Sequence, residues 1–334
     1  MEGQQRVGVV VELPQVLREM GQDPEQLIAS VGINPDRLRS SENSISFVEL
    51  GSLLQACVTA TGCQHFGLLV GQRGATASLG LVGRLMRNAP TLKAAILDLC
   101  TNQRRYVRGA VAYLLVQNEM AFWGYAVHHP AMRSVEQLSE GAMAVARNML
   151  LELAGVLPEQ ILIARRAPDD IAPYNRFFGC APTFDAQQYA VSFPASLLAR
   201  PIRCADRDLR RILEKCVADY WAVTQPSTAE AVVRALHARV VFPDASLEAV
   251  ADELVMHPRT LNRRLQAEGV NFRDLVNEAR FSVSRQLLSG TKMDVTDIAL
   301  ALGYANSSSF THAFQRWSGM APSEWRRQDE VAPA

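Results

Sequence analysis

Long apolar runs are absent from this sequence of 334 residues. Nothing approaches the roughly 18 consecutive apolar residues that a membrane-spanning helix requires. The start, MEGQQRVGVVVELP, lacks a basic segment followed by an apolar stretch and a small-residue cleavage site, so it does not read as a secretory signal. Both absences predict a cytoplasmic chain with no membrane partner. An excess of one charge is missing too: Lys+Arg and Asp+Glu stand at 34 each. Neutrality gives no global sign of nucleic acid, and only clustering of the basic residues would reveal it. Cysteine is sparse and scattered. Cys57, Cys63, Cys100, Cys180, Cys204 and Cys216 contain no CxxC pair, which predicts small buried hydrophobes in a reducing compartment. No cysteine follows Cys216, so thiolate-bound zinc does not organise the C-terminal part.

Catalytic signatures are lacking as well. HExxH, GxSxG and the phosphate-cradling GxxxxGK do not occur. Gly80-Leu81-Val82-Gly83 is too short to hold a phosphate, and Asp169-Asp170 reads as a solvated helix start. The expectation is a chain that is not an enzyme, with no catalytic residues, no cofactor and no metal. Solenoid repeats and low-complexity tracts are also absent.

What is present suits two domains, since a domain takes about 100–200 residues, and a hydrophobic fraction of 48% is ample for ordinary cores. Residues 12–100 carry helical spacing: Val16, Leu17, Met20, then Leu27, Ile28 and Val31. Asp23-Pro24 and Asn34-Pro35 are helix-start signals. A helix is predicted from Phe47 to about Thr61, stopped by Gly62, and another from Thr91 to about Arg105. Residues 110–127 read as two strands around Gln117-Asn118-Glu119. Helical spacing returns over 133–154, Ile161–Ile163 and Tyr189–Phe193 read as short strands, and a helix follows from Asp206 to Trp221. The fold class is therefore mixed: an N-terminal α+β domain, with a helical start and then a small mixed part, followed by an all-α domain. The boundaries are 1–223, a polar linker at 224–228 and 229–330.

The all-α part repeats one design. In SLEAVADELVMHPRTLNRRLQAE (246–268), Ser246 caps a short helix with Val250 and Ala251 inward. After a turn at Val255–His257, a second helix starts at Pro258 and buries Leu261 and Leu265. Its outward face carries Arg259, Asn262, Arg263 and Gln266. Arg pairs bidentately with guanine and Asn with adenine, and the first residues of such a second helix reach the groove floor. In residues 295–327, Thr296 is expected to cap a helix packing through Ile298, Ala299 and Leu302. Gly303 turns the chain. Asn306 or Ser307 then caps a helix with Phe310, Phe314 and Trp317 inward. Residues 272–288 form a linking helix. Two recognition helices entering successive major grooves lie about 34 Å apart. Arg259, Arg263, Arg264, Arg273, Arg280, Arg285, Arg316, Arg326 and Arg327 supply the local positive charge.

The segment DIALALGYANSSSFTHAFQRWSGMAPSEWRR resembles the signature of the AraC/XylS transcription regulators, and the likeness covers roughly residues 230–327. It implies two helix-turn-helix units on double-stranded DNA, with RNA polymerase as a further partner. By matching position, it assigns Arg259, Thr260, Asn262 and Arg263 to the first reader set. Ser307, Ser308, Ser309, Thr311 and His312 make the second. His257 stands where a serine-like cap is usual, and His312 where the family often has Arg.

Upstream, GQRGATASLGLVGRLMRNAPTLKAAILDL and DDIAPYNRFFGCAPTFDAQQYAVSFPASLLARPI resemble the arabinose-binding-type N-terminal domain of one AraC subgroup. This implies effector sensing and a homodimer, without implying arabinose. Arg104, Arg105 and Tyr106, before the first strand, and Tyr125, His128 and His129, at the end of the second, are placed to orient an unknown small-molecule effector. The other reading makes them ordinary core, surface or strand-end residues. Phe177 and Phe178 read as core. The resemblance points to an activator. The alternatives are an AraC-type regulator controlled by a protein partner, and an enzyme fused to a DNA-binding domain.

Overall fold

The computed structural model describes residues 4–106, 109–127, 132–221, 227–239, 245–254 and 256–331. The chain divides into two compact units, Met1–Leu213 and Glu214–Pro333. The expected linker at 224–228 falls largely on residues 222–226, which lie outside the described ones.

The first unit opens with β1 (Gln4–Arg6), α1 (Leu13–Glu19), α2 (Pro24–Ser30), β2 (Ser44–Ser46) and α3 (Phe47–Thr61). β1 and β2 pair antiparallel, with Gln5 opposite Ile45, a small sheet that local propensity did not announce. Asp23 caps α2 by accepting from the Gln26 N–H, as the Asp-Pro signal predicts. Asn34-Pro35 opens only a 3-10 turn. Ser46 and Glu49 cap α3 reciprocally. Gly62, at φ +66°, ends it in the left-handed conformation that glycine adopts without penalty.

Next come α4 (Phe66–Gly71), α5 (Gly80–Arg87), α6 (Leu92–Tyr106), β3 (Ala110–Gln117), β4 (Met120–Val127) and α7 (Val135–Ala154). β5 (Gln160–Leu162), α8 (Ala172–Phe178) and β6 (Ala190–Pro194) follow, and α9 (Arg207–Trp221) runs across the division at Leu213. The strands form one antiparallel sheet in the order β3-β4-β6-β5. Asn118 and Glu119 both have positive φ, the geometry a two-residue hairpin turn demands. Directly opposed residues share a face of a sheet. Ala112 opposes Tyr125, and Leu114 opposes Trp123. These four side chains therefore stand on one face, the face from which Ala112, Trp123 and Tyr125 meet α7 side chains around a common cavity. On the other face the Tyr113 ring covers Gly124, where an added Cβ would lie 2.2 Å from the ring.

α4, α5 and α8 were not predicted. Gly80–Gly83, read as a failed phosphate loop, is the first turn of α5. Asp170 caps the start of α8 by accepting from the Ala172 N–H. Phe178 is buried, while Phe177 is half-exposed beneath the Arg147 guanidinium, 4.9 Å from the ring centre. Cys57, Cys63 and Cys100 are buried as expected, but Cys180 is half-buried and Cys204 and Cys216 are exposed. Burial alone pushes the Cys57 thiol up to about 12, which keeps it an unreactive thiol.

The second unit is helical: α10 (Thr228–Arg239), α11 (Leu247–Glu253), α12 (Pro258–Ala267), α13 (Phe272–Gly290), α14 (Val295–Ala301), α15 (Ser307–Ser318) and α16 (Pro322–Val331). Among the described residues no helix is long and apolar enough to cross a membrane. No cluster of His, Cys, Asp or Glu able to hold a metal occurs among them either.

Candidate DNA interface and ligand cavity

Each half of the second unit builds its outward helix from local signals. Ser246 accepts from the Ala249 N–H to cap α11, and Val250 and Ala251 are fully buried. At the start of α12, His257 does the work expected of a serine. Its Nδ1 accepts from the Arg259 N–H at 3.2 Å, which places the ring hydrogen on Nε2. His257→Ala should lower stability by about 1 kcal/mol, and His257→Ser should restore it, in thermal unfolding of the full chain. Leu261 and Leu265 fix the inner face of α12. Arg259, Arg263, Arg264 and Gln266 are exposed, and Thr260 and Asn262 are half-buried. Glu268, just past α12, accepts from the Thr228 and Ala229 N–H groups and so caps α10.

In the second half, the N-cap position of α14 is Asp294, and Thr296 lies inside the helix. Thr296 is therefore not the cap; the helix begins two residues earlier than its sequence pattern suggests. Gly303, at φ +75°, makes the turn. Asn306 caps α15 by accepting from the Ser309 N–H at 2.8 Å. Phe310 and Phe314 are fully buried. Phe281 of α13 meets Phe314 and Trp317 at centroid separations of 5.5 and 5.7 Å, so the linking helix and the second reader helix share one aromatic core. Ser308, Ser309 and His312 are exposed, and Ser307 and Thr311 are half-buried.

Three arginines counted toward the basic surface make contacts within the unit, Arg285 by lying 5.0 Å over the Phe281 ring and 5.9 Å over the Trp325 ring. Arg326 donates to the carbonyls of Leu288 and Met293, at 3.3 and 2.6 Å. It thereby satisfies backbone groups at the end of α13 and just beyond it. Arg280 is half-buried and lies 5.0 Å over the Tyr304 ring, a cation–π contact. Arg259, Arg263, Arg264, Arg273, Arg285, Arg316 and Arg327 remain exposed, as does Lys292.

The first unit holds a cavity of about 190 Å³ between the β3–β4 face, α7, α4 and the segment Gln5–Val10. Small residues leave the space: Ala112 on the sheet, and Gly141, Ala142 and Ala146 on α7. Of the six effector-site residues expected from sequence, Tyr125 lines this cavity. The backbone of Arg104, Arg105 and Tyr106 ends α6, but their side chains lie outside the described ones, as do His128 and His129 altogether. Burial raises the Tyr125 phenol well above its ordinary range, so it stays protonated as a donor. Sequence reasoning missed Trp123, Gln103 and Gln5, which also line the cavity. A signal for Trp123 existed: it stands two residues before Tyr125 and so on the same strand face.

Two helix-turn-helix units in one domain, and a ligand-sized cavity in the other, define a DNA-binding transcription regulator with an N-terminal ligand-binding domain. Comparison with known proteins agrees. Residues 21–202 match the arabinose-binding domain of AraC transcription regulators, and residues 250–328 match a helix-turn-helix domain. The chain belongs to the AraC family of transcription regulators. It is similar to the HTH-type transcriptional regulator VirS of Mycobacterium tuberculosis, 29% identical over 323 residues, 95% of this chain and 94% of that one. It is also similar to the ornithine utilization regulator of Pseudomonas aeruginosa, 27% identical over 317 residues, 93% of each chain. Among solved structures, the transcriptional regulator CdpR of Pseudomonas aeruginosa is 22% identical, with a TM-score of 0.46 over 93% of this chain and 97% of that one.

Proposed function

We propose that this chain is a cytoplasmic one-component sensor: a small-molecule effector occupies the cavity of the first unit, and the second unit responds on tandem DNA sites to activate transcription with RNA polymerase. The working form is a homodimer, with residues 1–223 sensing and dimerising and 229–330 reading DNA. The observation that carries the sensing half is the cavity itself, walled by apolar side chains with a few polar groups turned into it. Arg259, Thr260, Asn262 and Arg263 read one groove; Ser307, Ser308, Ser309, Thr311 and His312 read the next.

Selection of bound sequences from random duplex DNA with the full chain tests the reading. The expected product is a pair of half-sites about one helical turn apart. Arg263→Ala should weaken binding by about 1–3 kcal/mol and relax the preference at one base position. An unchanged preference at every position removes Arg263 from the reader set. For sensing, a true effector at about 100 times its Kd adds about 2.7 kcal/mol of stability. Absence of any stabilising metabolite, together with co-purification of a second protein, would instead assign control to a protein partner.

A further inference from the structure

Inside the cavity, hydrogen-bond donors outnumber acceptors. Trp123 is 2% exposed and Tyr125 8%. Both line the cavity, and neither the indole N–H nor the phenol has a hydrogen-bond partner among the described residues. Gln5, 6% exposed, likewise brings its amide to the wall from β1 without such a partner. Gln103 has spent its acceptor: its Oε1 takes the Ala112 N–H at 2.7 Å, which leaves its Nε2 as a donor. Gln137, by contrast, is used up, accepting from the Gly67 N–H and donating to the Gln64 carbonyl. Buried polar groups in native proteins are ordinarily paired. Several unpaired donors around one space therefore point to a ligand that supplies acceptors.

Among the described residues the wall has no acidic group. Arg6 is the charged residue among the described lining residues, and its terminal nitrogens Nη1 and Nη2 are held by the Leu79 carbonyl and the Glu42 carboxylate. An ammonium placed here would be buried without a counter-charge, at a cost no surrounding contact offsets. A carboxylate would have to compete with Glu42 for Arg6. A sugar would bring a ring of hydroxyls into a wall that is mostly apolar. For scale, a cavity of about 150 Å³ accepts benzene.

We infer that the cavity takes an uncharged, largely apolar ligand of about the size of a substituted single ring or short acyl chain, bearing a carbonyl or ester oxygen that accepts from Trp123, Tyr125 and Gln103. The inference rests on the sensor reading above and narrows it. Amino acids, including ornithine, and sugars are excluded from this site.

The test uses the full chain and five probes: methyl benzoate, benzoate, n-propylbenzene, L-ornithine and L-arabinose. Binding is read by saturation-transfer NMR and by the shift in Tm. Methyl benzoate should bind saturably and at least tenfold more tightly than benzoate or n-propylbenzene; ornithine and arabinose should not register. The Trp123→Phe, Tyr125→Phe double variant should weaken methyl benzoate by about tenfold, the loss of two hydrogen bonds, and leave n-propylbenzene unchanged. Ala146→Phe, which fills the cavity, should abolish both. Should Ala146→Phe fail to fold, the two conservative substitutions carry the test alone. If benzoate, ornithine or arabinose binds best and Ala146→Phe removes that binding, the neutral-ligand class is overturned while the sensor reading stands. Methyl benzoate binding that neither variant alters overturns the location. If no probe binds and a folded Ala146→Phe variant still regulates a reporter as the parent does, both readings fall.

Discussion

Gly67→Ala or Gly71→Ala should each cost the first unit at least about 3 kcal/mol, the upper end of what overpacking ordinarily does. The reason is the contact between α4 and α7. An added Cβ on Gly67 would lie 1.9 Å from the Gln137 carbonyl oxygen and 2.6 Å from its carbon. On Gly71 it would lie 2.3 Å from the Gly141 oxygen. These neighbours are backbone, so no rotamer change relieves the clash. α4 cannot simply back away, because α7 satisfies it at both ends. The Gln137 side chain accepts from the Gly67 N–H at 2.8 Å. The Asn148 amide donates to the Gln72 and Gly74 carbonyls at 2.9 and 2.8 Å. Moving α4 outward by the distance a methyl needs would strip these bonds from a six-residue helix that has little stability of its own. Gly155→Ala is the control. Nothing lies within 4 Å of its added Cβ, and only its φ of +66° is penalised, for about 1 kcal/mol. Urea unfolding of the three variants checks the ranking. Equal losses at all three positions would show that α4 tolerates displacement.

The same contact shows why part of the fold was illegible. FGLLVG carries two glycines in six residues, which local propensity reads as breakers. The helix exists because side chains about 70 positions later cap and cover it. β1 and β2 pair across about 40 residues and are three residues each, too short for any periodicity. Where the signals are local, sequence and structure agree: α3 from Phe47 to Gly62, the β3–β4 hairpin, α7, and both helix-turn-helix units. The outward side chains of α12 and α15 were legible for that reason, since Leu261, Leu265, Phe310 and Phe314 fix which face of each helix turns inward. The cavity was not. Its walls come from β1, α3, α4, α5, α6, β3, β4 and α7, and no pattern within one segment gives the register between Gln5, Gln103 and Trp123. Tyr125 was found because it is a polar aromatic at a strand end.

A second large effect is expected from Arg165→Ala, about 3–5 kcal/mol, because it strands a charge at the centre of the first unit. The Glu140 side chain has no exposed surface, and the Arg165 side chain is 21% exposed. Arg165 Nε donates to Glu140 Oε1. The Tyr174 hydroxyl donates to Oε2 at 2.7 Å and receives the Arg165 guanidinium at 2.6 Å. Arg165 also reaches the Gln64 carbonyl at 3.1 Å, so one ion pair joins α7, the segment after β5, α8 and the approach to α4. The partners are not equivalent. Without Glu140, Arg165 retains a route to water; without Arg165, Glu140 has none. Glu140→Gln should therefore cost less, about 2 kcal/mol for the lost charge-assisted hydrogen bonds. Burial already pushes the Glu140 carboxyl above the usual carboxylate range, against the pull of Arg165 and Tyr174. Removing Arg165 removes the stronger of those two restraints and raises it further. A carboxyl raised in the folded state holds its proton where the unfolded chain has lost it, so stability falls as the pH rises through that interval. The Arg165→Ala variant should accordingly regain stability relative to the parent as the pH is lowered from about 8 to about 5. Glu140→Gln, having no proton to gain, should show no such recovery. Adding Glu140→Gln to Arg165→Ala should raise the Tm above that of Arg165→Ala alone at neutral pH. A double variant less stable than Arg165→Ala would mean that the stranded carboxylate finds water or another donor, and that the pair contributes through packing instead of charge.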